Sequence, residues 1–132
     1  MAIRRVFTFE DPGFQRAVAH DGGAPILFNR VADARGGASN WIDLVVVPPG
    51  ADIGRHTHGE DDEETYIILA GRGRMTLDGD EFEVGPGHVV VNRPGGTHSL
   101  ANTGEDEIRL VVVDVRVPPR AGAPAPPKQN EE

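Results

Sequence analysis

The chain contains no cysteine. Disulfides, thiolate metal sites and a cysteine nucleophile are therefore excluded. The absence is compatible with a reducing compartment without requiring one. No stretch approaches the length of a transmembrane helix. The start, MAIRRVFTFEDPG, carries two arginines but no apolar run long enough for a signal peptide, so a cytoplasmic location is expected. Basic charge is also scarce. Thirteen Lys and Arg against 21 Asp and Glu leave a net charge of −8, whose field opposes nucleic acid and anionic membrane surfaces. No basic stripe with interleaved aromatics offsets it, so neither nucleic acid nor a membrane is an expected partner. A Ser-His-Asp set, a phosphate loop and a nucleotide fingerprint are missing as well.

Glycine and proline, by contrast, are abundant: 17 and 11 in 132 residues. They punctuate short apolar segments, as an all-β fold with many turns requires. Residues 26–31, 41–47, 65–70, 73–77, 81–84, 88–92, 97–101 and 108–117 read as strands. Residues 65–70 are apolar on both faces, as in a strand buried between two sheets. Asp78-Gly79 marks a hairpin, because both residues tolerate positive φ. Phe7 and Phe9 alternate with polar neighbours and suggest an edge strand, while residues 14–20 read as a helical turn or a loop. The expected unit is one domain over residues 1–117, a sandwich or barrel of many short strands. From Pro118 onward nothing larger than alanine is apolar, so residues 118–132 are expected to form a disordered, proline-rich tail.

Chemistry concentrates in the histidines. Four of the chain's possible metal ligands are His56, His58, Glu64 and His98, in a sequence with five histidines. On a strand, residues two apart share a face, so the His56 and His58 rings can aim at one ion; a helix would need a spacing of three or four. Imidazole with carboxylate suits a borderline divalent ion such as iron(II), manganese, nickel or zinc.

Two stretches carry a resemblance. GADIGRHTHGEDDEETYIILAG, residues 50–71, is similar to the first motif of the cupin superfamily, G-x5-H-x-H-x(3 or 4)-E-x6-G. Gly50, His56, His58, Glu64 and Gly71 take its fixed positions. Five residues, not three or four, separate His58 from Glu64; Glu63 satisfies that interval better but breaks the following x6. Glu64 is preferred, because an inserted residue fits a loop while strand register fixes which way a side chain faces. GHVVVNRPGGTHSLAN, residues 87–102, resembles the second motif, G-x5-P-x-G-x2-H-x3-N, through Gly87, Gly95, His98 and Asn102. Arg93 stands at the first proline, with Pro94 next.

This resemblance spans about residues 42–115 and implies the cupin double-stranded β-helix, a jelly-roll-like antiparallel barrel. It implies that His56, His58, Glu64 and His98 hold one divalent ion (Fe, Mn, Zn or Ni) with positions left for a small-molecule substrate. It also implies an enzyme of dioxygenase, decarboxylase, isomerase or cyclase type, acting on a small organic acid, a sugar-like compound or a natural-product intermediate. A non-enzymatic binder of small molecules or metal chelates is the alternative. Similar small cupins pair, so a homodimer is expected. Tyr66 shares parity with Glu64 and is a candidate to donate a hydrogen bond or proton to substrate, or simply to fill the barrel. Arg55, Arg93 and Arg109 are candidates to pair with a substrate carboxylate. The acidic run Glu60–Glu63 reads as a solvated loop, Asn102 as a turn brace, and His20 and His88 as surface residues.

Overall fold

The computed structural model describes residues 4–118, which hold ten strands and no helix. The strands are β1 (Gln15–Ala17), β2 (Ile26–Asp33), β3 (Trp41–Val47), β4 (Asp52–Thr57), β5 (Asp62–Ala70), β6 (Gly73–Leu77), β7 (Asp80–Val84), β8 (Val89–Asn92), β9 (Thr97–Ala101) and β10 (Ile108–Arg116). One sheet has the order β1-β2-β3-β10-β5-β8 and the other β4-β9-β6-β7. Every pairing between strands is antiparallel. The two sheets face each other across one apolar cluster, to which Val45, Ile68 and Leu110 come from the first and Ile53, Met75 and Leu100 from the second. This is the jelly-roll-like sandwich that the strand pattern and motifs imply. β10 shows the cause in its sequence: IRLVVVDVR alternates buried and half-buried along its length, the period-2 pattern of a strand with one face on the core.

The hairpin between β6 and β7 turns at Asp78 and Gly79, which both have positive φ, 49° and 91°. That backbone matches the twist of the flanking strands. No strand forms at Phe7 and Phe9. The Asp11 amide donates to the Thr8 carbonyl, the Thr8 amide to the Asp11 carboxylate and the Glu10 amide to the Thr8 hydroxyl. Local side-chain acceptors thus capture donors that a ladder would need, and the segment folds as a turn. The short β1 lies instead within residues 14–20, where a helical turn or loop was expected. Beyond Pro118, which is exposed, the expected tail lies outside the described residues.

Two irregularities flank residues that face inward. Ile53 pairs with Leu100 and His56 with His98, so three steps along β4 match two along β9. That extra residue is a β-bulge, and it reverses the facing of everything beyond it. Ile53 and His56 both point inward although they lie an odd three positions apart. The second irregularity lies at Leu69, which β10 skips: Arg109 pairs with Ala70 and Leu110 with Ile68. Before it, Glu64, Tyr66 and Ile68 face inward in regular alternation, and Leu69 faces outward.

Candidate metal centre

Three elements bring four side chains to one point. β4 and the residue after it supply His56 and His58, β5 supplies Glu64, and β9 supplies His98. Nε2 of His56 lies 3.1 Å from Nε2 of His58 and 2.8 Å from Nε2 of His98. Nε2 of His58 lies 2.9 Å from Nε2 of His98. Oε1 of Glu64 is 3.1 Å from His58, 3.3 Å from His98 and 3.9 Å from His56. His98 is fully buried and Glu64 nearly so. Glu63, next to it in sequence, belongs to the opposite face of β5 and lies outside the cluster.

The donor atoms fit a metal ion better than they fit one another. His56 Nδ1 lies 2.8 Å from the Gly54 carbonyl, and His58 Nδ1 lies 2.8 Å from Oδ2 of Asp62. Both outer nitrogens meet acceptors and carry protons, so the Nε2 atoms that face each other need a further proton or a cation between them. Two bare lone pairs in that arrangement would repel. The spacing is informative too. Bonds of about 2.1 Å place adjacent corners of an octahedron about 3.0 Å apart and opposite corners about 4.2 Å apart, whereas all tetrahedral edges would be about 3.4 Å. Five of the six separations fall between 2.8 and 3.3 Å, and the sixth, His56 to Glu64, is 3.9 Å. One ion could reach all four donor atoms at ordinary bond lengths. The chain therefore presents a three-histidine, one-glutamate set that could hold a divalent metal.

Charge around the cluster is strongly coupled. Burial would raise the Glu64 carboxyl, but hydrogen bonding to His56, His58 and His98 holds it well below the usual range. Burial would lower His58, but Glu64 and Asp62 on its two nitrogens outweigh that and raise it to about 9. Burial lowers His98. Behind His58 the Asp114 carboxyl is raised to about 7, chiefly by burial and next by Asp62. It accepts a hydrogen bond from Asn40, while its other oxygen has no partner among the described residues. Asp62, read in the sequence as part of a solvated run, is thus the outer partner of a histidine in the cluster. The Asn92 side-chain amide donates to the Glu64 carbonyl and holds that strand in place. Such outer partners fix ring orientation and tautomer.

A cavity of about 330 Å³ adjoins Glu64 and Tyr66. Ile26, Phe28, Trp41, Val45, Ile53 and Val112 give it apolar walls, and His20, Arg30, Asp43, Glu64 and Tyr66 give it polar ones. This apolar lining with a few converging polar groups is typical of small-molecule sites. A larger cavity of about 1080 Å³ runs between the N-terminal segment and β2; it shares only Arg30 with the inner one and contains none of the clustered residues. Tyr66 is almost wholly buried, with its ring centroid 5.1 Å from that of His98. Burial, and then the negative charge of Glu64, raise its phenol well above 10, so it stays protonated and acts as a donor.

The three arginines singled out from sequence do not meet at this cavity. Arg55 is exposed on β4, Arg93 is exposed just after β8, and Arg109 is bound to Glu107 at 2.7 Å and to Glu10 at 3.4 Å. In their place stands Arg30, paired through two hydrogen bonds with Asp43 directly across the β2–β3 ladder. A lone aspartate inside WIDLVVV, in phase with Val45 and Val47, was the readable signal for that pair. His20 is exposed, as expected, yet it also belongs to the site. Its ring stacks on His56 with centroids 3.6 Å apart and planes 11° apart, and it lines the cavity. Burial and then His56 lower its pKa. Its backbone has φ of 51°. The Gly22 and Gly54 amides donate to the Ala19 carbonyl, and a Cβ on Gly54 would run into the His20 carbonyl. Asn102 braces a turn, as expected: its amide donates to the carbonyls of Val47 and Asp106. His88 bonds the backbone at Gly85, far from the cluster in register.

Comparison with known proteins bears on the family and the fold. An uncharacterised protein of Methanocaldococcus jannaschii is 38% identical over 75 residues, covering 57% of this chain and 59% of that protein. An oxalate-binding protein of Thermotoga maritima is 34% identical over 67 residues, covering 51% and 54%. The chain thus matches a little over half the length of these curated relatives. A Thermotoga maritima crystal structure described as a predicted oxalate decarboxylase superposes with a TM-score of 0.79, over 86% of this chain and 100% of the other at 22% identity, which speaks for the fold alone. The family model for the cupin domain matches residues 43–114, a span that contains all four clustered side chains and more than half of the sequence. With motif spacing, sandwich topology and family match in agreement, the chain belongs to the cupin family.

Proposed function

We propose that this protein is a divalent-metal-dependent cupin enzyme in which His56, His58, Glu64 and His98 hold one ion and the adjoining cavity holds a small organic substrate. The observation that carries the reading is the meeting of three Nε2 atoms and one carboxylate oxygen at separations of 2.8 to 3.9 Å. Three neutral imidazoles and one carboxylate leave a divalent site at net +1. Imidazole with carboxylate suits iron(II), manganese, nickel or zinc. Bound there, the ion would polarise a substrate carbonyl or enolate.

The chain's own groups divide the remaining work. Asp62 and the Gly54 carbonyl fix the tautomers of His58 and His56. Tyr66, protonated, offers its Oη–H to Glu64 or to a ligand oxygen rather than removing a proton. The apolar walls lie beside Glu64 on the substrate side. These features suit decarboxylation, isomerisation, cyclisation or oxygenation alike, because each needs an oxygen-bearing ligand held beside the cluster.

A second reading, a binding protein without turnover, draws support from the oxalate-binding name of one relative. Turnover separates the two. Metal-loaded protein should convert a member of a panel of 2-oxo acids, enols and catechols, monitored by oxygen uptake, carbon dioxide release and NMR. Stoichiometric ligand binding with no conversion across the panel would favour the binding protein.

The assembly proposed is a homodimer. Leu69, Val89 and Val91 are exposed apolar side chains on the outer face of β5 and the edge strand β8. A second copy is the occupant that a self-complementary sheet face of this kind suits.

A further inference from the structure

We infer that the inner cavity selects a neutral or singly charged ligand with an apolar body, and that Asp43 enforces this selection by neutralising Arg30. The inference rests on the metal-site reading above and adds the class of ligand.

Charge sets the limit on the ligand. Among the described residues lining the cavity, Arg30 is the one arginine and there is no lysine, while Asp43 and Glu64 are both carboxylates. Arg30 is already engaged. Its Nε donates to Oδ1 of Asp43 at 2.8 Å and its Nη2 to Oδ2 at 3.0 Å, the two-pronged geometry of a matched guanidinium and carboxylate. The ladder places the two residues directly opposite, and the guanidinium also lies 4.9 Å from the centre of the Trp41 ring. Asp43 is buried, so its charge is not dispersed by water. A divalent ion with Glu64 contributes +1 in sum, and the Arg30–Asp43 pair contributes nothing. One negative charge on a ligand is therefore balanced and a second is not. A small dianion entering this space would lose hydration without gaining a cation in return. It would also leave the apolar walls unfilled.

The walls point the same way. Phe28, Trp41, Val45 and Val112 offer aromatic and branched surface that a two-carbon diacid cannot reach, and 330 Å³ is room for an aryl or branched alkyl group beside the metal-binding oxygens. The ligand class that fits is a singly charged oxygen donor with such a body: an aryl 2-oxo acid, an enol or a phenol. This separates the chain from the small dianion in the name of its oxalate-binding relative.

The test uses the full chain loaded with nickel(II), with phenylpyruvate and oxalate as probes in calorimetric titrations. Metal retention is checked by elemental analysis after each titration. Free divalent ions prefer oxalate, so the expected result is an inversion, with phenylpyruvate at least about tenfold tighter. Asp43→Asn should strengthen oxalate binding about tenfold and phenylpyruvate binding by less, shifting their ratio toward oxalate, and adding Arg30→Gln should remove that shift. Oxalate binding to wild type as tightly as phenylpyruvate would overturn the inference, as would an unchanged ratio in Asp43→Asn. If Asp43→Asn does not fold, the wild-type ranking decides alone. A protein that takes up no stoichiometric metal defeats the metal-site reading and this inference together; one that takes up metal yet prefers oxalate defeats this inference alone.

Discussion

A divalent ion entering the cluster at neutral pH has to displace a proton from His58. In the metal-free protein Nε2 of His58 lies 3.1 Å from Glu64 and Nδ1 lies 2.8 Å from Asp62. Burial disfavours the charged ring, but the two carboxylates outweigh it and raise the pKa from 6.5 to about 9. Coordination needs the Nε2 lone pair, so below about pH 9 each ion bound should release one proton, and apparent affinity should climb about tenfold per pH unit. From about pH 7 to about pH 8.5 the predicted gain is roughly thirtyfold. Chelator competition across that range measures the slope, and calorimetry in two buffers of different ionisation enthalpy counts the proton. An affinity flat in pH, with no proton released, would refute the reasoning.

Stability should follow the same linkage. A histidine raised from 6.5 to about 9 stabilises the metal-free fold fully below pH 6.5, and that stability is lost as pH rises through about 9. Asp114, raised by burial and by Asp62 from 3.8 to about 7, adds a loss of the same sign over its own, lower window. The melting temperature of metal-free protein should therefore fall with rising pH, and the gap between loaded and metal-free protein should widen between about pH 7 and about pH 9.

Three further outcomes follow from named contacts. Asp62→Asn should weaken metal binding about 10–100-fold in chelator competition, because His58 loses the partner that fixes its ring, and fewer protons should be released on binding. Gly54→Ala should lower stability by about 1–3 kcal/mol in urea titration, because its Cβ meets the His20 carbonyl; an unchanged midpoint would mean that the bulge relaxes freely. Val89→Lys should convert the proposed dimer to monomer in light scattering at micromolar concentration with little change in secondary structure, since the side chain is exposed on edge strand β8.

Much of the fold is legible in the sequence wherever periodicity and turn chemistry agree. Strands at 41–47, 73–77 and 97–101 appear as read, and the Asp78-Gly79 turn has the positive φ its residues allow. The four clustered residues are legible because motif spacing encodes facing, and inward parity on β5 brings Glu64, not Glu63, to the cluster. What escaped the sequence depends on contacts between distant segments. His20 reaches His56 only because two glycines let its loop approach β4, and nothing near position 20 signals that. Asp62 looks like one of four solvated acids until strand register turns it inward. Charge alone marks the arginines at 55, 93 and 109 in the sequence. The structure instead favours Arg30, whose significance appears only when β2 and β3 are aligned and Asp43 falls opposite.

The central claim is that four side chains form one metal site. Elemental analysis after reconstitution and desalting, on wild type, His58→Ala and Glu64→Gln, tests it most directly. The account predicts near one equivalent of a divalent metal in wild type and almost none in either variant, with all three proteins folded by circular dichroism. Wild type without stoichiometric metal, or variants that keep it, would contradict the account.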